Sequence, residues 1–115
     1  MQDVRVFSLS EVTKSIERTI TSRYSSEFWV KAEMLKLNFY TYSGHAFPDL
    51  VEKENGVIVT QMRSIIWAND FKRINEKFTR AGVELSDGIT ILFKASIKYN
   101  GYYRVSLGIS DAGSL

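Results

Sequence analysis

The sequence predicts a mainly β domain: a five-stranded Greek-key barrel with one helix ahead of the first strand and a second helix between strands three and four. Three observations lead there. Apolar residues alternate with polar ones in five separate runs, the signature of strands with one buried face. Asn-Gly pairs at 55–56 and 100–101 join neighbouring runs in the way that tight hairpins require. Two further segments repeat their apolar residues at spacings of three and four, as a helix with one buried face does. With 115 residues and no linker-like or repetitive stretch, the chain is expected to be one domain over 1–115.

The elements follow in order. Residues 8–23 place Leu9, Val12, Ile16 and Ile20 on one helical face, and Ser8 with Glu11 forms a capping box that satisfies the first free amides. Residues 28–37 alternate, with Phe28, Val30, Ala32 and Met34 on one face and Trp29, Lys31 and Glu33 on the other. Residues 38–44 break that pattern with three rings and a Ser-Gly turn. A weaker strand over 45–53 contains Pro48, which cannot donate to a ladder and so belongs at an edge or a bulge.

Asn55-Gly56 then leads into a strand over 57–67, with Ile58, Met62 and Ile66 on its inner face. Asn69 or Asp70 caps a second helix to about 81, turning Phe71, Ile74 and Phe78 inward, and Gly82 suits its end. Residues 89–99 carry Ile89, Ile91, Phe93, Ala95 and Ile97 inward. After the two-residue turn Asn100-Gly101, residues 102–109 carry Tyr103, Val105, Leu107 and Ile109 inward. The barrel is expected to span 28–109, with the small polar tail 110–115 leading away from it. This order of elements is the layout of an oligonucleotide/oligosaccharide-binding (OB) barrel.

Composition narrows the chemistry. The chain has no Cys and a single His, which removes disulfides, thiolate metal sites and thiol nucleophiles and disfavours His-based triads and metal centres. Its carboxylates, such as Glu33, Asp49, Glu52 and Glu54, lie on different strands without the clustering that a two-metal centre needs. No catalytic residue, metal ligand or cofactor is therefore expected in this domain. No stretch has the apolar length of a membrane helix and the N-terminus lacks a signal peptide's apolar core, so a cytoplasmic protein without a membrane partner is expected. The formal charge of +2 does not by itself announce a nucleic acid.

What stands out is rings interleaved with cations where a core does not need them. Phe39, Tyr40, Tyr42 and His45 fall in or beside the first interstrand loop, and Tyr99 and Tyr102 flank the last hairpin. Lys31, Arg63, Lys94, Lys98 and Arg104 occupy polar phases of strands. On an OB barrel, single strands lie over strands two and three and the loops 1-2 and 4-5, with bases stacked on rings and phosphates on cations. The expected nucleic-acid-binding residues are Lys31, Tyr40, Tyr42, His45, Arg63, Lys94, Lys98, Tyr102 and Arg104. Trp29 and Trp67 sit near strand ends and are assigned to the core or an interface. Lys72, Arg73, Lys77 and Arg80 read as a solvated helix face.

The runs Phe7-Ser8-Leu9-Ser10-Glu11-Val12, Phe28-Trp29-Val30-Lys31-Ala32-Glu33, Ser43-Gly44-His45 and Gly101-Tyr102-Tyr103, in this order, resemble the N-terminal domain of the exodeoxyribonuclease VII large subunit over nearly the whole chain. The chain departs from that pattern at Ala32, at Phe47-Pro48 and at Leu50-Val51-Glu52, where a Lys of the family becomes Val51. The resemblance implies an OB domain that captures single-stranded DNA for a nuclease region beyond residue 115, with that region and a small subunit as further partners and 110–115 as the start of the connection. A protein-interaction or structural module, packing against its own enzyme or the small subunit, is the alternative.

Overall fold

The computed structural model describes residues 4–101 and 104–115. Its elements are α1 (Leu9–Arg23), β1 (Phe28–Lys36), β2 (Asp49–Glu54), β3 (Val57–Ile65), α2 (Ala68–Arg80), β4 (Thr90–Asn100) and β5 (Arg104–Gly113). The strands close into a barrel in the order β1-β2-β3-β5-β4. All pairings are antiparallel except the short parallel contact Ser64↔Leu107 and Ile65↔Gly108 that joins β3 to β5. This is the predicted OB barrel, with both helices in the predicted places.

Local chemistry accounts for the elements. Asn55 and Gly56 both take positive φ, 52° and 77°, as a type I′ turn demands, and Glu54 pairs with Val57 across it. The capping box is complete: Ser8 Oγ accepts from the Glu11 N–H at 3.1 Å and Glu11 Oε1 accepts from the Ser8 N–H at 3.1 Å. Gly82, at φ 75°, takes the left-handed conformation that ends α2.

The core gathers Met34, Leu50, Ile91, Phe93, Ala95, Leu107, Ile109 and Ala112 from the strands, Ile66 from just after β3, and Phe71, Ile74 and Phe78 from α2. The inner face of α2 thus plugs one end of the barrel, each large side chain contributing about 1.5–3 kcal/mol of burial.

Four expectations are corrected. The second strand starts at Asp49 rather than 45. Pro48 precedes it with its carbonyl accepting from Ser64 N and Oγ, and Ala46 bridges Phe39 and Ile66. Ile58 and Val105 do not reach the core; they are 42% and 40% exposed, because the β2–β3 and β4–β5 hairpins run past the end of the barrel.

The last strand continues to Gly113, and Ala112 is fully buried opposite Phe93, so the barrel does not stop at residue 109. Asn100 pairs with Arg104, a longer connection than the two-residue turn expected. Tyr102 and Tyr103 lie outside the described residues.

Helix α1 forms as predicted but buries none of its residues. It rests beside β4 near the β4–β5 turn, where a Cβ at Gly101 would stand 3.2 Å from Thr13 Cβ. Leu9, Val12 and Ile16 remain exposed. No helix of the described residues is long and apolar enough to cross a membrane.

Candidate functional site

The β1–β2 loop, residues 37–48, is folded back on itself by its own polar groups. Asn38 takes φ 51°, and its side-chain amide donates to the Phe47 carbonyl at 3.0 Å and to Asp49 Oδ2 at 3.3 Å. Gly44 N–H donates to the Tyr40 carbonyl at 2.8 Å, and Tyr40 N–H donates to the His45 carbonyl at 3.0 Å. Gly44 is constrained twice: its φ is 79°, and a Cβ there would sit 3.2 Å from Ala68 Cβ. The loop is therefore pressed against the start of α2.

His45 makes the tie. Its Nδ1 accepts the Ala68 N–H at 2.9 Å, and its ring meets Trp67 edge-on with centroids 4.9 Å apart and planes at 88°. Trp67 is itself the N-cap residue of α2 and offers no side-chain cap, so an imidazole from another loop satisfies an amide that neither Asn69 nor Asp70 reaches. The sequence pattern places the helix start two or three residues later, with its own cap. Replacing His45 by Ala should cost about 1 kcal/mol, the usual value of a helix cap, measured by chemical denaturation; a change below about 0.3 kcal/mol would show that the amide is satisfied without it.

Around this tie stand six rings. Phe39 stacks on the core residue Phe71 at 4.7 Å, and Tyr40 meets Phe47 edge-on at 5.2 Å. Outward, Tyr40 is 57% exposed, Trp67 56%, and Tyr42 is fully open to solvent. Aromatic faces held open by a rigid support are what base stacking uses, at about 1–3 kcal/mol per base. Arg63 lies beside the loop, paired across the sheet with Asp49, which also stands opposite Lys36.

The predicted site residues thus divide. Tyr40, Tyr42 and His45 share this loop, with His45 as the support, and Arg63 stands on β3 opposite Asp49 at the end of the loop. Lys31 and Lys94 stand instead on the outer face shared by β1 and β4, where Lys31 is paired with Leu92 and Trp29 with Lys94. Lys98 and Arg104 lie further along the β4–β5 hairpin. Tyr102 is outside the described residues. Sequence pattern does not single out Trp67 and Phe47, because a Trp at a strand end and a Phe before Pro read as packing residues.

Two of the cations of α2, Arg73 and Lys77, are engaged. Asp111 accepts from Lys77 Nζ at 3.2 Å and Arg73 Nη1 at 3.4 Å, and Arg73 also pairs with Asp70 at 2.9 Å. Burial alone would raise the Asp111 carboxyl, but the Ala112 N–H and the Lys77 ammonium outweigh it and hold the group below its ordinary value. By the same pairing, chiefly with Asp70, Arg73 is held above its own. The two pairs with Asp111 join α2 to β5.

No curated protein matches the chain. Among solved structures, the SSB domain of a Synechococcus sp. protein is similar at 8% identity with a TM-score of 0.48, over 76% of this chain and 92% of that one. Residues 7–111 match the family model described as an OB-fold nucleic acid binding domain. That match runs from the residue before the Ser8 cap into the last barrel strand, so the chain belongs to the family of OB-fold nucleic-acid-binding domains.

Proposed function

We propose that this domain binds single-stranded DNA, with bases stacked on Tyr40, Tyr42 and Trp67 and a phosphate near Arg63, and that it is the strand-capturing part of an exodeoxyribonuclease VII large subunit whose chemistry lies outside these residues. The observation that carries the binding mode is the cluster of exposed rings held by His45 between the β1–β2 loop and α2. Unpaired bases present the π-faces that such rings need, and duplex bases do not. The parentage rests on the resemblance of the four sequence runs.

A second reading, a module that packs against its own enzyme or a small subunit, is favoured by the exposed Leu9, Val12 and Ile16 of α1, since a helix of this length draws most of its stability from packing. Titrating the chain with an oligonucleotide as a single strand and as a duplex separates the two. The single strand should bind at least about tenfold tighter, one stacked base's worth; equal affinity, or no binding, overturns the DNA reading.

A further inference from the structure

The outer face of β1, β4 and β5 carries a second set of features that the ring cluster does not use. Trp29 is 51% exposed and stands opposite Lys94. One step along β1, Lys31 is exposed opposite Leu92. Further along β4, Ser96 pairs with Gly108 and Lys98 with Ser106.

Small residues on β5 leave room for the Lys98 stem. A Cβ at Gly108 would meet Lys98 Cε at 3.3 Å and Cγ at 3.4 Å, so the side chain lies across the sheet. Among the described residues, no carboxylate lies within ion-pair distance of Lys31, Lys94 or Lys98. Asp111, the acidic residue opposite Lys94, is committed to Arg73 and Lys77.

These unneutralised cations differ from Arg73 and Lys77 of α2, which are paired with carboxylates. They follow β1 and β4 away from the β1–β2 loop, and from Lys36 at the loop to Trp29 the strand covers about 23 Å at about 3.3 Å per residue.

We propose that this face is a second contact surface for the same single strand: Lys31, Lys94 and Lys98 take successive phosphates of the nucleic-acid backbone and Trp29 receives one base beyond the ring cluster. The inference rests on the binding mode proposed above and sets the footprint. A strand of about 5 nucleotides occupies only the ring cluster, and one of about 15, within the range of OB sites, reaches the second face as well.

The test compares the wild-type chain with the triple variant Lys31→Ala/Lys94→Ala/Lys98→Ala on both lengths. All three side chains are exposed or half-buried outward, so the fold is kept. The triple variant should bind the long strand about tenfold more weakly, with a log-log salt slope shallower by about 2, at about 0.7 for each phosphate that is no longer neutralised. It should bind the short strand as the wild type does. In a Trp67→Phe background, where Trp29 is the remaining Trp, the long strand should quench fluorescence and the short one should not.

Unchanged long-strand affinity and slope in the triple variant would overturn the second surface while leaving the ring cluster standing. A wild type that binds the long strand in a lysine-dependent way yet ignores the short one would overturn the ring cluster and leave the second surface. No binding of either strand overturns both.

Discussion

Replacing Tyr40, Tyr42 and Trp67 together by Ala should lower the affinity for a single-stranded oligonucleotide by about 100-fold or more. Each stacked base is worth about 1–3 kcal/mol, and each 1.4 kcal/mol is about tenfold. The effect should fall on binding and spare the fold. Tyr42 is fully open to solvent, Tyr40 and Trp67 are more than half exposed, and none of the three belongs to the core cluster. Equilibrium titration checks the first part and thermal unfolding the second. A loss under about threefold would mean that the rings serve hairpin and loop packing only.

Phe71→Ala should have the largest effect on stability of any change near the site. Phe71 is 8% exposed in the core, and its ring carries Phe39 of the β1–β2 loop at 4.7 Å. Truncating a buried Phe costs about 3–5 kcal/mol, a large part of the 5–15 kcal/mol typical of a domain. The melting temperature should drop by about 15 °C or more. DNA affinity of the protein still folded should fall as well, because the loop loses the floor on which Phe39 rests. A melting temperature within about 3 °C of the wild type would contradict this placement of α2 under the loop.

The barrel itself is legible in the sequence because its determinants are local. Asn55-Gly56 names its turn through backbone freedom alone, and Phe71, Ile74 and Phe78 name their face through helical period. Ile91, Phe93 and Ala95 do the same through strand period. Alternation does not reveal how far the partner strands extend, however. Ile58 and Val105 are in phase with the core yet stand beyond it on hairpins longer than the barrel. Residues 110–113, rich in small and polar types, read as a tail, but Ala112 faces Phe93 and the strand pairing continues.

The site is legible by half for a similar reason. Tyr40 and Tyr42 are conspicuous in a loop, whereas the cap that His45 gives to α2 spans 23 residues of sequence. No motif marks it. Trp67 stands beside that cap and is 56% exposed, whereas its position at a strand end suggests packing. The two groups of cations on strands look like one set in the sequence, because phase shows that a residue points outward without showing toward which side of a closed barrel.

The central claim, that this domain holds single-stranded DNA through stacked bases and phosphate contacts, is tested most directly by titrating the wild-type chain with a single strand of about 15 nucleotides, within the range of OB sites, at about 50 and about 200 mM salt, following the fluorescence of Trp29 and Trp67. The account predicts saturable quenching at both salts with affinity falling at least about tenfold between them, as release of several counterions requires. A flat signal at both salts, or binding indifferent to salt, would contradict it.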